Sequence, residues 1–190
     1  MLLLGGGSPL DRNIYEALYA GGSPAMVAVA RFLTFFGEPA VLITAGALVL
    51  LWLWRIGRAR LGLALAAVAL TGRALSELQK YWLAHPRPTL ETHLVLVKTS
   101  SFPSGHAASS MIFYLTMAFA LAARTRWHRV AIVSAILLSL LIGASRVMLG
   151  VHWPSDVIGG WAFGLLWVLL TIRLSERLFR ANSEPPRNQL

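Results

Sequence analysis

Three short stretches hold most of the residues whose types and spacing suit chemistry: KYWLAHPRP at 80–88, PSGH at 103–106 and SRVMLGVHWPSD at 145–156. In PSGH, Ser104 is a good helix cap, and Gly105 and His106 fall in the first turn of an apolar run that has no charge before Arg124. A helix N-terminus presents unpaired backbone N–H groups that bind anions, and glycine lets an anion come close to the main chain. In the third stretch His152 and Asp156 stand four residues apart where a helix starts, with Pro154 tolerated in its first turn, so the two side chains can face each other. A carboxylate on one ring nitrogen fixes the tautomer and leaves the lone pair of the other free. The plainer readings are a histidine facing water at a helix end, and cations (Lys80, Arg87, Arg146) that snorkel toward lipid headgroups.

The elements that carry these stretches follow from composition. Of 190 residues, 56% are hydrophobic and only 13% charged, the balance of a membrane protein. A formal charge of +9 could suggest nucleic acid, but the arginines cluster in short segments between long apolar runs, as membrane topology requires. No nucleic-acid partner is expected. The absence of cysteine excludes disulfides and thiolate metal sites. MLLLGGGSPLD lacks the basic start and apolar length of a cleaved signal peptide.

A spanning helix needs roughly 20 mostly apolar residues. Five segments meet this, at about 38–54, 61–83, 105–123, 130–150 and 155–172. Upstream, Ser8, Pro9 and Asp11 occupy cap, first-turn and capping-box positions, and Ser23 and Pro24 repeat the start. Both read as short helices, the second interfacial or re-entrant because it is only about a dozen residues long before Gly37. The expected fold is all-α: a polytopic membrane bundle of about five transmembrane helices plus short N-terminal helices. It forms a single domain over residues 1–180, with a polar, disordered tail at 181–190.

Arginine-rich WRIGRAR (54–60), ARTRWHR (123–129) and IRLSERLFR (172–180) follow the first, third and fifth spans, so alternation puts all three on one side, which is the cytoplasmic one. The three chemical stretches then share the opposite, extracytoplasmic face of the cytoplasmic (inner) membrane, with the C-terminus inside.

In this order, and all at span ends on one side, the three stretches resemble the signature of the type 2 phosphatidic acid phosphatase superfamily, whose fixed positions are present without substitution between Lys80 and Asp156. That family includes bacterial lipid phosphate phosphatases and, more distantly, vanadium haloperoxidases. The resemblance implies that His152, oriented by Asp156, attacks phosphorus to give a phosphohistidine, and that His106 is the general acid protonating the leaving oxygen. It also implies that Lys80, Arg87 and Arg146 surround the phosphoryl oxygens, with hydrogen bonds added by Ser104 and Gly105. The expected reaction is metal-independent hydrolysis, with no cofactor, of a phosphate or diphosphate on a membrane lipid. Undecaprenyl diphosphate is the preferred substrate and phosphatidylglycerol phosphate nearly equal to it; phosphatidic acid and lipid A phosphates remain alternatives. A haloperoxidase fits poorly, because known members of that branch are soluble. A noncatalytic lipid binder or transporter component would not need both histidines.

Other conspicuous residues draw plainer readings. His85, His93 and His128 fit no metal-ligand spacing and are given no catalytic role, and Lys98 is at most a headgroup contact. Arg73 and Glu77 lie at helical spacing inside the second span and are expected to pair, with Glu77 alternatively orienting Lys80. Gly160 and Gly164 are expected to allow close helix packing, and the seven tryptophans fit interfacial belts.

Overall fold

The computed structural model describes residues 7–123 and 125–181; of the expected tail at 181–190 only Ala181 lies within them, as the last residue of a helix, and 182–190 lie outside. The described residues form seven helices and no strand: α1 (Pro9–Leu18), α2 (Pro24–Phe35), α3 (Pro39–Arg55), α4 (Ala59–Leu83), α5 (Gly105–Leu121), α6 (His128–Met148) and α7 (Pro154–Ala181). Four stretches are long and apolar enough to cross a membrane: Pro24–Arg55, Ala59–Leu83, His128–Met148 and Pro154–Arg177. The third expected span, α5, is shorter at 17 residues, about 25 Å at the helical rise per residue.

Its length matches its place. Nine residues of α5, among them Ala107, Met111, Ile112, Leu115 and Ala118, are buried, whereas α3 buries only Leu42 and Leu53. A helix apolar on all sides belongs in the middle of a bundle. Here α4, α6 and α7 surround α5. The close approach of α7 depends on glycine: a side chain at Gly160 would meet the Ser104 carbonyl oxygen at 2.7 Å, and one at Gly164 the Ala108 carbonyl oxygen at 2.9 Å. Trp161 and Trp167 donate from their indole N–H groups to the Ser139 and Val68 carbonyls, so these two tryptophans lock helices together rather than serve only as belt residues.

The N-terminal helices begin as expected. Ser8 and Asp11 form a reciprocal capping box, and Ser23 accepts from the Met26 amide at 3.4 Å. Helix α2 lies across the end of α6: Ala30 packs in the cluster with Met148 and Leu149, Thr34 meets Arg146, and Gly37 meets Ile142. It joins α3 through a break at Gly37–Glu38, so the first apolar run of 32 residues is two helices rather than one straight rod. The helix that carries the last expected span continues past its apolar part, because α7 runs on through the arginine-rich IRLSERLFR segment, whose residues are good helix formers without a glycine or proline to stop them.

Candidate active site

Residues from all three stretches converge on one cavity of about 280 Å³, whose lining includes Lys80, Arg87, Gly105, His106, Arg146 and His152. Asp156 and Ser104 lie behind this wall. Asp156 is fully buried in the first turn of α7, and His152 sits two residues before that helix in the turn that follows α6. The pair faces as the spacing requires, with His152 Nδ1 at 3.4 Å from Asp156 Oδ2. That carboxylate oxygen also accepts from the Trp153 amide at 2.8 Å and from the Ser101 hydroxyl, whose oxygen lies 3.3 Å from His152 Nδ1. The other ring nitrogen, Nε2, faces Arg87 Nη1 at 3.3 Å. Burial, followed by the cations Arg87, Arg146 and Lys80, holds the His152 imidazole well below its ordinary pKa near 6.5. It is therefore neutral at pH 7, with an available lone pair.

The cations are placed differently from one another. Arg87 spends most of its donors on the main chain, giving Nε to the Thr99 carbonyl at 2.8 Å and Nη1 to the Val151 carbonyl at 2.5 Å, and so ties the 84–104 connection to the His152 turn. Arg146, 4% exposed, donates Nη1 to Thr34 Oγ1 at 2.8 Å and leaves Nε buried without a partner. Lys80 is buried with Nζ 3.6 Å from Glu77 Oε1, and Arg73 reaches the same oxygen at 3.7 Å. Both expected Glu77 pairings are therefore present at once. Lys98 lines the cavity wall.

Gly105 has a more specific reason than main-chain access for an anion. A side chain there would lie 2.9 Å from Lys80 Nζ, so the glycine vacates the space the ammonium occupies. Ser104 occupies the cap position, but its hydroxyl does not cap the helix; it is buried without a partner, while its amide donates to the Asp156 carbonyl at 2.9 Å. Side-chain capping by Ser104 is thus overturned: the hydroxyl is turned away from the amides of its own helix.

Two residues that the sequence reading left aside stand at the centre. His85 Nδ1 is 3.4 Å from Asp156 Oδ1, and both atoms are otherwise buried without a hydrogen-bond partner. The carboxylate therefore lies between two imidazoles. On the far side of the cavity Glu38 Oε1 lies 3.2 Å from His106 Nε2. His93 instead braces the loop through the Pro88 carbonyl at 2.8 Å, and His128 packs edge-on against Phe119. Helix α1 steadies the His152 turn from outside: Ser155 donates its amide to Asp11 Oδ1 at 2.8 Å, and the Tyr15 hydroxyl donates to the Gly150 carbonyl at 3.3 Å.

Fold and site together define a multi-pass membrane protein with a histidine-bearing, cation-lined cavity at one end of its helices. The profile of the PAP2 superfamily matches residues 57–180, and the chain belongs to that superfamily. It is 33% identical over 123 residues to phosphatidylglycerophosphatase B of Bacillus subtilis, covering 63% of this chain and 60% of the relative's length. A putative undecaprenyl-diphosphatase of Escherichia coli K12 is 31% identical over 168 residues, 84% of this chain and 80% of its own. Among solved structures, a transmembrane PAP2-type phosphatidylglycerolphosphate phosphatase from Bacillus subtilis superimposes with a TM-score of 0.82 at 27% identity, covering 95% of this chain and 88% of that one. All three are named as phosphatases, and the solved one as transmembrane.

Proposed function

We propose that the chain removes phosphate from a membrane lipid phosphate or diphosphate through a phosphohistidine on His152. One observation carries this reading: His152 has one ring nitrogen turned to a buried carboxylate and the other turned to a cavity lined by Lys80, Arg87, Arg146 and His106. The Nε2 lone pair attacks phosphorus, and the P–O bond to the leaving group breaks with its electron pair staying on oxygen. That oxygen takes a proton from His106. Water then attacks phosphorus, passes its proton to His106, and the P–N bond breaks to release phosphate. The cations hold the charge on the three non-bridging oxygens throughout.

The lipid class is supported by an apolar groove of about 210 Å³ between α3, α4 and α5, lined by residues such as Leu42, Ile43, Leu65, Phe113 and Met117. It shares Pro39 and Arg73 with the polar cavity, so a tail in the groove leads to a headgroup at His152. Undecaprenyl diphosphate is the preferred substrate, hydrolysed to undecaprenyl phosphate at the outer face of the cytoplasmic membrane; the likeness to the Escherichia relative supports it. The close superposition on the Bacillus structure favours phosphatidylglycerol phosphate as the second reading.

The test is phosphate release from a panel of both lipids, phosphatidic acid and a lipid A phosphate at one detergent concentration. Release should survive EDTA, because Lys80, Arg87 and Arg146 supply the countercharge a metal would otherwise bring, and vanadate should inhibit as a mimic of the five-coordinate phosphoryl state. Activity lost in EDTA and restored by magnesium would refute the metal-independent reaction. Phosphate release without added vanadate separates the phosphatase from a haloperoxidase.

A further inference from the structure

The break between α2 and α3 brings Gly37 and Glu38 to the cavity wall, and Thr34, just before it, to Arg146. Thr34 accepts from Arg146 Nη1 at 2.8 Å. Gly37 lies against the imidazole, since a side chain there would meet His106 Cδ2 at 3.0 Å. Glu38 places Oε1 at 3.2 Å from His106 Nε2. The junction is also fastened to the helix that bears His106, because the Tyr114 hydroxyl of α5 donates to the Phe36 carbonyl at 2.8 Å. Thr34, Gly37 and Glu38 belong to none of the three chemical stretches and lie outside the 57–180 segment shared with the superfamily profile.

Glu38 starts α3, yet its side chain makes no capping hydrogen bond to that helix. The carboxylate is directed instead at His106, with the Arg146 guanidinium as its other charged neighbour in the site. Besides Glu38, the charged groups that act on His106 are Arg146 and Lys80, both cationic. A protonated imidazole among them is repelled on two sides, and an anion beside it offsets that repulsion. The contact is near enough for ionic attraction, but His106 Nε2 has no aligned hydrogen-bond partner. Glu38 thus balances the charge without taking the proton from the acid's delivery.

We infer that Glu38 is the positioning carboxylate of the general acid, a negative charge that favours the protonated imidazole of His106 and holds the ring in place for leaving groups that depart as strong bases. This role rests on the proposed phosphoryl transfer. When the P–O bond breaks, the proton on His106 goes to the departing oxygen and the imidazole becomes neutral; the water of the second half-reaction returns a proton to it. Glu38 gives up no atom and is unchanged over the cycle. A weakly basic leaving group departs without that proton, whereas a strongly basic one needs it.

The test uses leaving groups of graded basicity. The purified full-length protein and its Glu38→Gln variant are assayed on 4-nitrophenyl phosphate and phenyl phosphate, which differ little in size and much in leaving-group basicity, with dioctanoyl phosphatidic acid as a lipid substrate. The ratio of kcat/KM for 4-nitrophenyl over phenyl phosphate should rise about tenfold or more in the variant, a fraction of the ~100- to 10,000-fold that general acid catalysis supplies. His106→Ala should raise the same ratio at least as far, and adding Glu38→Gln to it should raise it no further. A damaged fold lowers both rates together and leaves the ratio alone. An unchanged ratio in Glu38→Gln, or an equal fall on both substrates, would overturn the role of Glu38 while leaving the phosphatase standing. Failure of the wild type to release phosphate from all three, and from undecaprenyl diphosphate and phosphatidylglycerol phosphate as well, would overturn the phosphatase reading and this role with it.

Discussion

At the scale of single residues, the site is organised around one buried carboxylate. Asp156 Oδ2 gathers the Trp153 amide, the Ser101 hydroxyl and His152, whereas Oδ1 has only His85 within reach. Removing His85 leaves that oxygen unpaired in a dry place, a change that costs about 1–3 kcal/mol for an uncompensated acceptor and frees the carboxylate to turn from His152. His85→Leu should lower kcat about tenfold or more with little change in KM, and His85→Asn, which can keep a donor near the Nδ1 position, should recover part of the loss. Steady-state kinetics on any accepted lipid phosphate checks this, and equal activity of the Leu and Asn variants would show that the contact has no bearing on turnover. The His152–Asp156 relation was legible in the sequence because a four-residue step at a helix start is a local geometric fact. His85 and Glu38 were not, since each meets its partner across a distance in the chain of 71 and 68 residues that no periodicity records (156 − 85 and 106 − 38).

The helices were legible where a single physical rule set them. Apolar length gave α4 and α6 to within about two residues, and the Ser-Pro starts marked α1 and α2. The end of α7 was not legible in the same way, because charge marks only where the apolar surface stops and not where the helix does. Packing between α5 and α7 is the element-level device that holds the site, since Ser104 opens one helix and Asp156 sits in the first turn of the other, joined by the Ser104 amide and the Asp156 carbonyl at 2.9 Å. Gly160 faces that joint. Its replacement by alanine puts a methyl group 2.7 Å from the Ser104 carbonyl oxygen and 2.9 Å from Ala107 Cβ, contacts with rigid neighbours that cost roughly 1–3 kcal/mol of overpacking. Gly160→Ala should therefore lower both the thermal midpoint in detergent and kcat. A variant with wild-type melting and wild-type turnover would mean that the helices separate without disturbing the site.

For the whole molecule, charge sets orientation and orientation sets which lipids reach the cavity. Arg55, Arg58 and Arg60 follow the first span, Arg124, Arg126 and Arg129 the third, and Arg173, Arg177 and Arg180 the last, so insertion should keep all of them inside and turn the cavity outward. The chain has no cysteine, so single cysteines at Ser8, Thr92, Thr125 and Ser183 meet no background thiol. In intact cells a membrane-impermeant maleimide should label positions 8 and 92 and spare 125 and 183 until lysis; the reverse pattern would remove substrates of the outer leaflet and leave the chemistry untouched. The chemistry itself is tested most directly at His152. With a radiolabelled lipid diphosphate and a rapid quench into alkali, His106→Ala should carry an acid-labile phosphate that peptide mass spectrometry places on His152, and His152→Ala should carry none and release no phosphate. Full turnover by His152→Ala, or label on another residue, would contradict the account.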